Sequence, residues 1–321
     1  MKRFCLLIAA LLFLAPQSHA FTSHDLARMP GQINRVYKEV SSAINHDARA
    51  RQQGLWCELP YKNKGLGHWS VGIQGFAQQG SDLYVLDYTN ATIHKYRLNG
   101  TTIPDYVGSS GKTSFGHQGL AMDNKHRLIS TGENKQCIAR ARFAPGRDLS
   151  TEVIRIFPQS YSKGMSCTPA LSPDGRWLVA VSANAQKQRL ARIWEYRTLE
   201  NTRDASHHYF REIMLPELDS EPQPVQGVFY DRGRLFIVAG KNQLSRTKVL
   251  YVYDEYGKLL SKDSRFDVGY EMAKKFDAVY EPEGLNAISA GGSYRLGMCF
   301  ITGTLKHRHA FIYAVPERAF R

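Results

Sequence analysis

The chain has 321 residues, 43% of them hydrophobic and 22% charged, which excludes a disordered polymer and provides enough apolar material for a large core. Its 42 Lys and Arg against 29 Asp and Glu give a net charge of +13, a balance that favours anionic partners. The basic residues form no long run, so nucleic acid is not expected, and past residue 20 no apolar stretch is long enough to cross a membrane.

Residues 1–20 have the layout of a signal peptide. Lys2 and Arg3 precede an apolar run over residues 5–15, and Pro16 and Ser18-His19-Ala20 form a small-residue cleavage site. Export to the periplasm or the medium is the expectation. Removal of this leader takes away Lys2 and Arg3 and leaves 301 residues with a net of +11. It also leaves four cysteines, Cys57, Cys137, Cys167 and Cys299, an even number that permits two disulfides in an oxidising compartment. Residues 21–54 form a second segment. Within it Ile33, Val36, Tyr37, Val40 and Ile44 recur at helical spacing, which predicts an amphipathic helix for packing, or for a partner or lid role.

From residue 55 to 321 the sequence repeats. Ile73-Gln74-Gly75-Phe76 returns as His117-Gln118-Gly119-Leu120 and as Val225-Gln226-Gly227-Val228; Cys167-Thr168-Pro169-Ala170 is a degenerate copy, and Pro282-Glu283-Gly284-Leu285 closes the series. Positions 74, 118, 168, 226 and 283 are 44, 50, 58 and 57 residues apart, a period that signals a propeller. After each anchor comes a short apolar strand and a polar turn, such as Gln79-Gly80-Ser81, Asp123-Asn124-Lys125, Pro173-Asp174-Gly175 or Asp231-Arg232-Gly233. A second apolar strand and an alternating third strand follow. The expected fold is all-β, a five-bladed propeller of four-stranded antiparallel blades, and a monomer.

Asn90, Asn134, Asn184 and Asn242 each fall sixteen residues after an anchor. Anchor and Asn therefore belong to the same end of a blade, since one strand runs down and the next returns. The fifth unit runs out of chain after three strands. Its outer strand is expected from Leu55-Trp56-Cys57-Glu58-Leu59, which closes the ring and removes an open edge. Cys137 and Cys167 fall in connections at this same end of adjacent blades, so they are one expected disulfide; Cys57 and Cys299, both in the fifth blade, are the other.

The anchors form an expected ring of Gln74, Gln118, Thr168, Gln226 and Glu283 around the axis. Amides offer donors and acceptors to sugar hydroxyls or phosphate oxygens, or alternatively bond neighbouring backbone. The Asn residues, Asn134 and Asn242 among them, either join that site or make left-handed turns. His68, Trp69 and His117 are expected in loops at the same face, along with Lys135, Lys163, Lys187, Arg189, Lys241, Arg246, His307, Arg308 and His309, a lining that would attract an anionic polymer; Trp69 could stack on a sugar. His207-His208 and His307-Arg308-His309 lack a carboxylate pattern for a metal, no Gly-x-Ser-x-Gly is present, and no cofactor is expected.

The repeated apolar-Gln-Gly-apolar start resembles helveticin-J-like secreted proteins and the teichoic-acid biosynthesis protein C-like propellers of phage receptor-binding proteins. The resemblance covers roughly residues 70 to 315. It implies a five-bladed propeller that recognises a cell-envelope glycan or a glycerol- or ribitol-phosphate polymer. Blades three and five depart from it, with Cys167-Thr168-Pro169 and Glu283-Gly284. Pro282-Glu283-Gly284-Leu285 also resembles gluconolactonase-like and phytase-like propellers, in which a channel glutamate holds a divalent metal. One carboxylate among three amides and a threonine argues against tight calcium. Three functions stay open: a binding propeller for a glycan or anionic envelope polymer, a metal-dependent lactonase- or phosphoesterase-like enzyme using Glu283, and a scaffold for another envelope or extracellular protein.

Overall fold

Short apolar runs separated by Gly, Asn and Asp turns satisfy their backbone groups most directly by pairing with the next run along the chain. The computed structural model follows that rule. It describes residues 54–62, 64, 69, 72–161, 167–221, 223–244, 248–276, 279–290, 293–304 and 307–316. The expected leader at 1–20, the helix at 32–45, and His68, Lys163 and Arg246 lie outside the described residues.

Twenty strands form five four-stranded antiparallel sheets among the described residues. Strand β1 (Leu55–Leu59) comes first in the chain but belongs to the last blade. Blade one is β2 (Ile73–Gln79), β3 (Asp82–Asp87), β4 (Thr92–Arg97) and β5 (Asp105–Ser109); blade two is β6 (Phe115–Met122), β7 (Arg127–Gly132), β8 (Cys137–Arg142) and β9 (Glu152–Arg155). Blade three is β10 (Thr168–Leu171), β11 (Trp177–Ala183), β12 (Arg189–Glu195) and β13 (Arg211–Met214). Blade four is β14 (Val225–Asp231), β15 (Arg234–Ala239), β16 (Lys248–Asp254) and β17 (Leu259–Phe266). Blade five joins β18 (Tyr280–Ala290), β19 (Ser293–Thr304) and β20 (His307–Ala314) to β1, in the order β1-β20-β19-β18. Cys57 pairs with Ile312 and Leu59 with Ala310, so the expected closing strand is in place.

The core lies between blades. Val85, Tyr96 and Phe76 of blade one meet Ile301 and Ile312 of blade five, and Leu86 and Ile93 meet Leu128 and Ala139 of blade two. Comparable clusters join blades two and three, three and four, and four and five. Most inner and middle strands are therefore buried on both faces, as in Trp177–Ala183, where six of seven residues are buried. This explains why apolar runs outnumber strict alternation in the sequence.

The disulfide expectation is corrected. All four cysteines are free and buried. The Cys167 thiol donates to the Cys137 backbone oxygen at 3.2 Å, so it faces main chain rather than sulfur. Burial pushes that thiol up to about 12. Cys57 and Cys299 both pair with Ile312, one from each side of β20. Two inter-strand spacings separate them, about 10 Å, beyond the reach of an S–S bond.

Candidate functional site

The repeated dipeptide sets the geometry at the axis. In blades one, two, four and five the inner strand shifts register at the anchor, between 73 and 76, 115 and 120, 225 and 227, and 282 and 284. Blade three, with Thr168-Pro169, pairs straight through from Thr168 to Leu171. The shift presses each glycine against the next blade. A Cβ on Gly119 would lie 2.8 Å from the Pro169 oxygen, and one on Gly227 would lie 2.6 Å from the Leu285 nitrogen. Gly119 also has φ +80°, a region that side chains disfavour. The glycines thus let five inner strands converge.

The anchor side chains converge with them and are buried: Gln74 is 7% exposed, Gln118 8%, Thr168 1%, Gln226 5% and Glu283 1%. Gln118 Nε2 donates to Gln226 Oε1 at 2.5 Å, and Thr168 Oγ1 donates to Gln118 Oε1 at 3.3 Å. The short Thr168 of blade three leaves room for this link from blade two to blade four. Gln226 Nε2 goes on to the Gly240 oxygen at 3.1 Å. Both Glu283 oxygens and Gln74 Oε1 have no hydrogen-bond partner among the described residues. Burial, reinforced by the nearby Glu281, holds the Glu283 carboxyl well above the usual carboxylate range. Among the described residues no group of three or more His, Cys, Asp or Glu is gathered as a metal site.

The other predicted residues at this end are dispersed. Asn134 and Asn184 accept from backbone two residues on, at 3.2 and 3.0 Å, and Asn90 caps onto Asp87; these are turns. Asn242 accepts from the Tyr280 backbone through its own carbonyl. His117 is exposed and stands edge-on to Tyr88 at 4.9 Å. Trp69 is a correction. It is 0% exposed, donates to the Leu59 oxygen at 2.8 Å and packs on Tyr61 and His94, so it offers no face to a sugar. The amphipathic indole fills the space behind the closing strand instead.

The recess lies at the opposite end of the inner strands. There the strand-one to strand-two turns of blades one, two and three and the β18–β19 hairpin of blade five surround a cavity of about 370 Å³. Its polar wall comes from Gln78, Gln79, Asp123, Asp174, Asn286 and Tyr294. Asn286 forms the floor, where its Nδ2 donates to the Phe76 and Leu120 oxygens at 2.7 and 2.9 Å and ties three blades together. Gln78 Oε1 accepts from the Ser289 nitrogen at 2.6 Å, and Gln79 Oε1 meets His126 at 2.6 Å.

Asp123 is 2% exposed and accepts from the Lys125 and Arg127 nitrogens, Arg127 Nε and the Tyr196 hydroxyl. Arg127 is held in turn by Glu200, whose carboxyl it keeps down at about 2. At the rim Tyr294 is 41% exposed, and its hydroxyl donates to Asp231 Oδ2 at 2.9 Å across to blade four. Among the described lining residues there is no Lys, Arg or His. The cavity can therefore offer amides, hydroxyls, carboxylate oxygens and one aromatic edge to a neutral polar ligand.

In the sequence these turns are plain loops of the repeat and carry no motif. The missed signal was their variety, since the anchors are alike from blade to blade and the turns are not.

The model of the phage five-bladed β-propeller receptor-binding platform domain matches residues 132–314, more than half of the chain. The chain belongs to that receptor-binding platform family. Among solved structures, the tail fibre of Staphylococcus aureus phage P68 is similar at 13% identity and a TM-score of 0.52 over 82% of this chain. This chain spans about half of that fibre chain, 53%. An exo-β-1,3-galactanase from Phanerochaete chrysosporium with β-1,3-galactotriose is similar at 9% identity and a TM-score of 0.51, covering 82% of this chain and 63% of that one. At such identities the likeness to solved structures shows the fold alone. Among curated proteins none matches the sequence. No helix of the described residues is long and apolar enough to cross a membrane.

Proposed function

We propose that this chain is an exported receptor-binding propeller that recognises a hydroxyl-rich surface glycan in the cavity at the turn end of the axis. The observation that carries this reading is the cavity itself, floored by Asn286 and walled by amide, hydroxyl and carboxylate groups from four blades. Polar groups that converge on a recess can fix the orientation of a sugar, and Tyr294 at the rim can lie against its apolar C–H face. The protein is strongly basic overall, yet the described wall carries no cation. That contrast favours sugar hydroxyls over phosphates inside the recess and leaves the basic surface to steer the approach to an anionic cell surface. Membership in a receptor-binding family supports a binding role, and the signal-peptide pattern of residues 1–20 supports export.

The test is a screen of the full-length protein against neutral O-polysaccharides, capsular polysaccharides and teichoic acids. The expected result is binding to a neutral polysaccharide that weakens little in high salt. Tyr294→Ala should lower that affinity about five- to tenfold, with the thermal midpoint unchanged because the ring is half exposed. Binding confined to teichoic acids and abolished by salt would overturn the reading.

A further inference from the structure

On the same face as the cavity, the outer part of blades three and four carries a ladder of rings and guanidiniums. Arg176 lies over Trp177 at 4.8 Å, Trp177 packs on Phe210 with centroids 5.0 Å apart, and Arg211 lies over Phe210 at 5.1 Å and over Tyr256 at 4.3 Å. Phe210 is 56% exposed and Tyr256 73%, the two most exposed large apolar side chains among the described residues. Exposed aromatics are a cost to solubility unless something covers them.

The ladder is held firmly. Arg211 Nη1 donates to the Glu255 backbone oxygen at 3.1 Å and pairs with the Glu255 carboxylate at 3.2 Å. The Phe210 nitrogen donates to the Ile193 oxygen at 2.7 Å, and the neighbouring Tyr209 ring sits 4.2 Å from the Arg192 guanidinium. The blade-four turn at Gly257 packs on Ile213 of β13. Rings fixed in this way lose little freedom when a ligand lies on them.

The ladder also continues from the recess. Asp174 and Gly175 line the cavity, and Arg176 and Trp177 are the next two residues. At the far side, Asp231, which accepts from Tyr294 at the rim, pairs across β15 through Arg234 to Asp254, the residue that opens the Tyr256 turn. The ladder therefore begins next in sequence to the cavity wall on blade three and is joined to the rim residue Asp231 through the strand pairing of blade four.

We infer that this ladder is a second sugar subsite, which takes the later units of the same glycan whose first units fill the cavity. The inference rests on the glycan reading of the cavity. A sugar ring presents an apolar C–H face to an aromatic ring and hydroxyls at its edge to a guanidinium, and the ladder sets three rings beside two guanidiniums. A chain long enough to leave the recess would meet Trp177, Phe210 and Tyr256 in turn.

The experiment uses the full-length protein and length-fractionated oligosaccharides of two, four and eight units cut from the polysaccharide that binds best in the screen. For the parent, affinity should rise about tenfold from two to eight units. A Phe210→Ala, Tyr256→Ala double variant should keep the two-unit affinity and lose the gain with length; Tyr256→Phe, which keeps its ring, should retain it. Tyr294→Ala should weaken all lengths alike. A gain with length that survives in the double variant would overturn the subsite while leaving the cavity reading in place, and would assign the ladder to a protein contact instead. A Tyr294→Ala protein with parental affinity at every length, beside a double variant that has lost its gain, would instead sink the cavity reading and with it the continuous path.

Discussion

The two ends of the axis are built from the same five strands and solve opposite problems. At the anchor end, glycines press backbone against backbone, and Gln118, Gln226 and Thr168 bond one another. At the turn end the same strands diverge into turns of different composition, and a cavity opens among them. The first end resembles a rivet and the second a cup. The repeated glycines press four of the five blades against their neighbours, whereas the cup is made of residues that differ from blade to blade.

The largest effect is expected from breaking the rivet. Gly119→Val places a side chain against the Pro169 oxygen at a left-handed position, and should cost about 2–5 kcal/mol through overpacking and backbone strain. Chemical denaturation measures it; a loss under 1 kcal/mol would mean that the blades do not depend on this approach.

Next comes the scaffold of the cup. Arg127→Gln removes the guanidinium that joins Asp123 to Glu200, and should cost about 2–4 kcal/mol because Asp123 stays buried with fewer donors. Because Glu200 is depressed to about 2, its contribution is present above its ordinary 4.5 and is lost as the pH falls through about 2. That acid-sensitive increment should shrink in denaturation curves of the Arg127→Gln variant, in which Lys125 still pairs with Glu200 at 3.1 Å.

A smaller effect belongs to Glu283→Gln, which restores the residue found at three other anchors. Folded Glu283 keeps its proton above the pH at which the unfolded chain gives it up, so its presence costs stability as the pH rises above 4.5. The variant should melt a few degrees higher than the parent at pH 8 and close to it at pH 4. An unchanged midpoint at both would show that Glu283 has a partner in solution.

The propeller was legible because its needs are periodic. Five anchors, the Gly and Asp turns, and a last blade one strand short together fixed the blade count and placed residues 55–59 as the closing strand, and the pairing of Cys57 with Ile312 agrees. The site was less legible for the same reason. Repetition points to Gln74, Gln118 and Gln226, which are buried at the axis, where Gln118 and Gln226 bond each other. Trp69 looked like a loop aromatic, since nothing local reveals that the closing strand folds back over it. The Cys137–Cys167 expectation found two neighbouring residues but not side-chain direction: one thiol faces the other's main chain. Tyr294 and Phe210 carry no motif. Their proposed roles rest on blades four and five, and three and four, meeting in space.

The central claim is that structure sits at one end of the axis and recognition at the other. It is tested most directly by measuring thermal midpoint and polysaccharide affinity on one pair of variants, Gln118→Ala and Tyr294→Ala. Gln118→Ala should lose about 1–2 kcal/mol of stability, for a buried amide pair broken, and bind as the parent does. Tyr294→Ala should melt as the parent does and bind about five- to tenfold more weakly. The reverse result, with Gln118→Ala stable but unable to bind and Tyr294→Ala binding normally, would contradict the account and return the site to the amide ring.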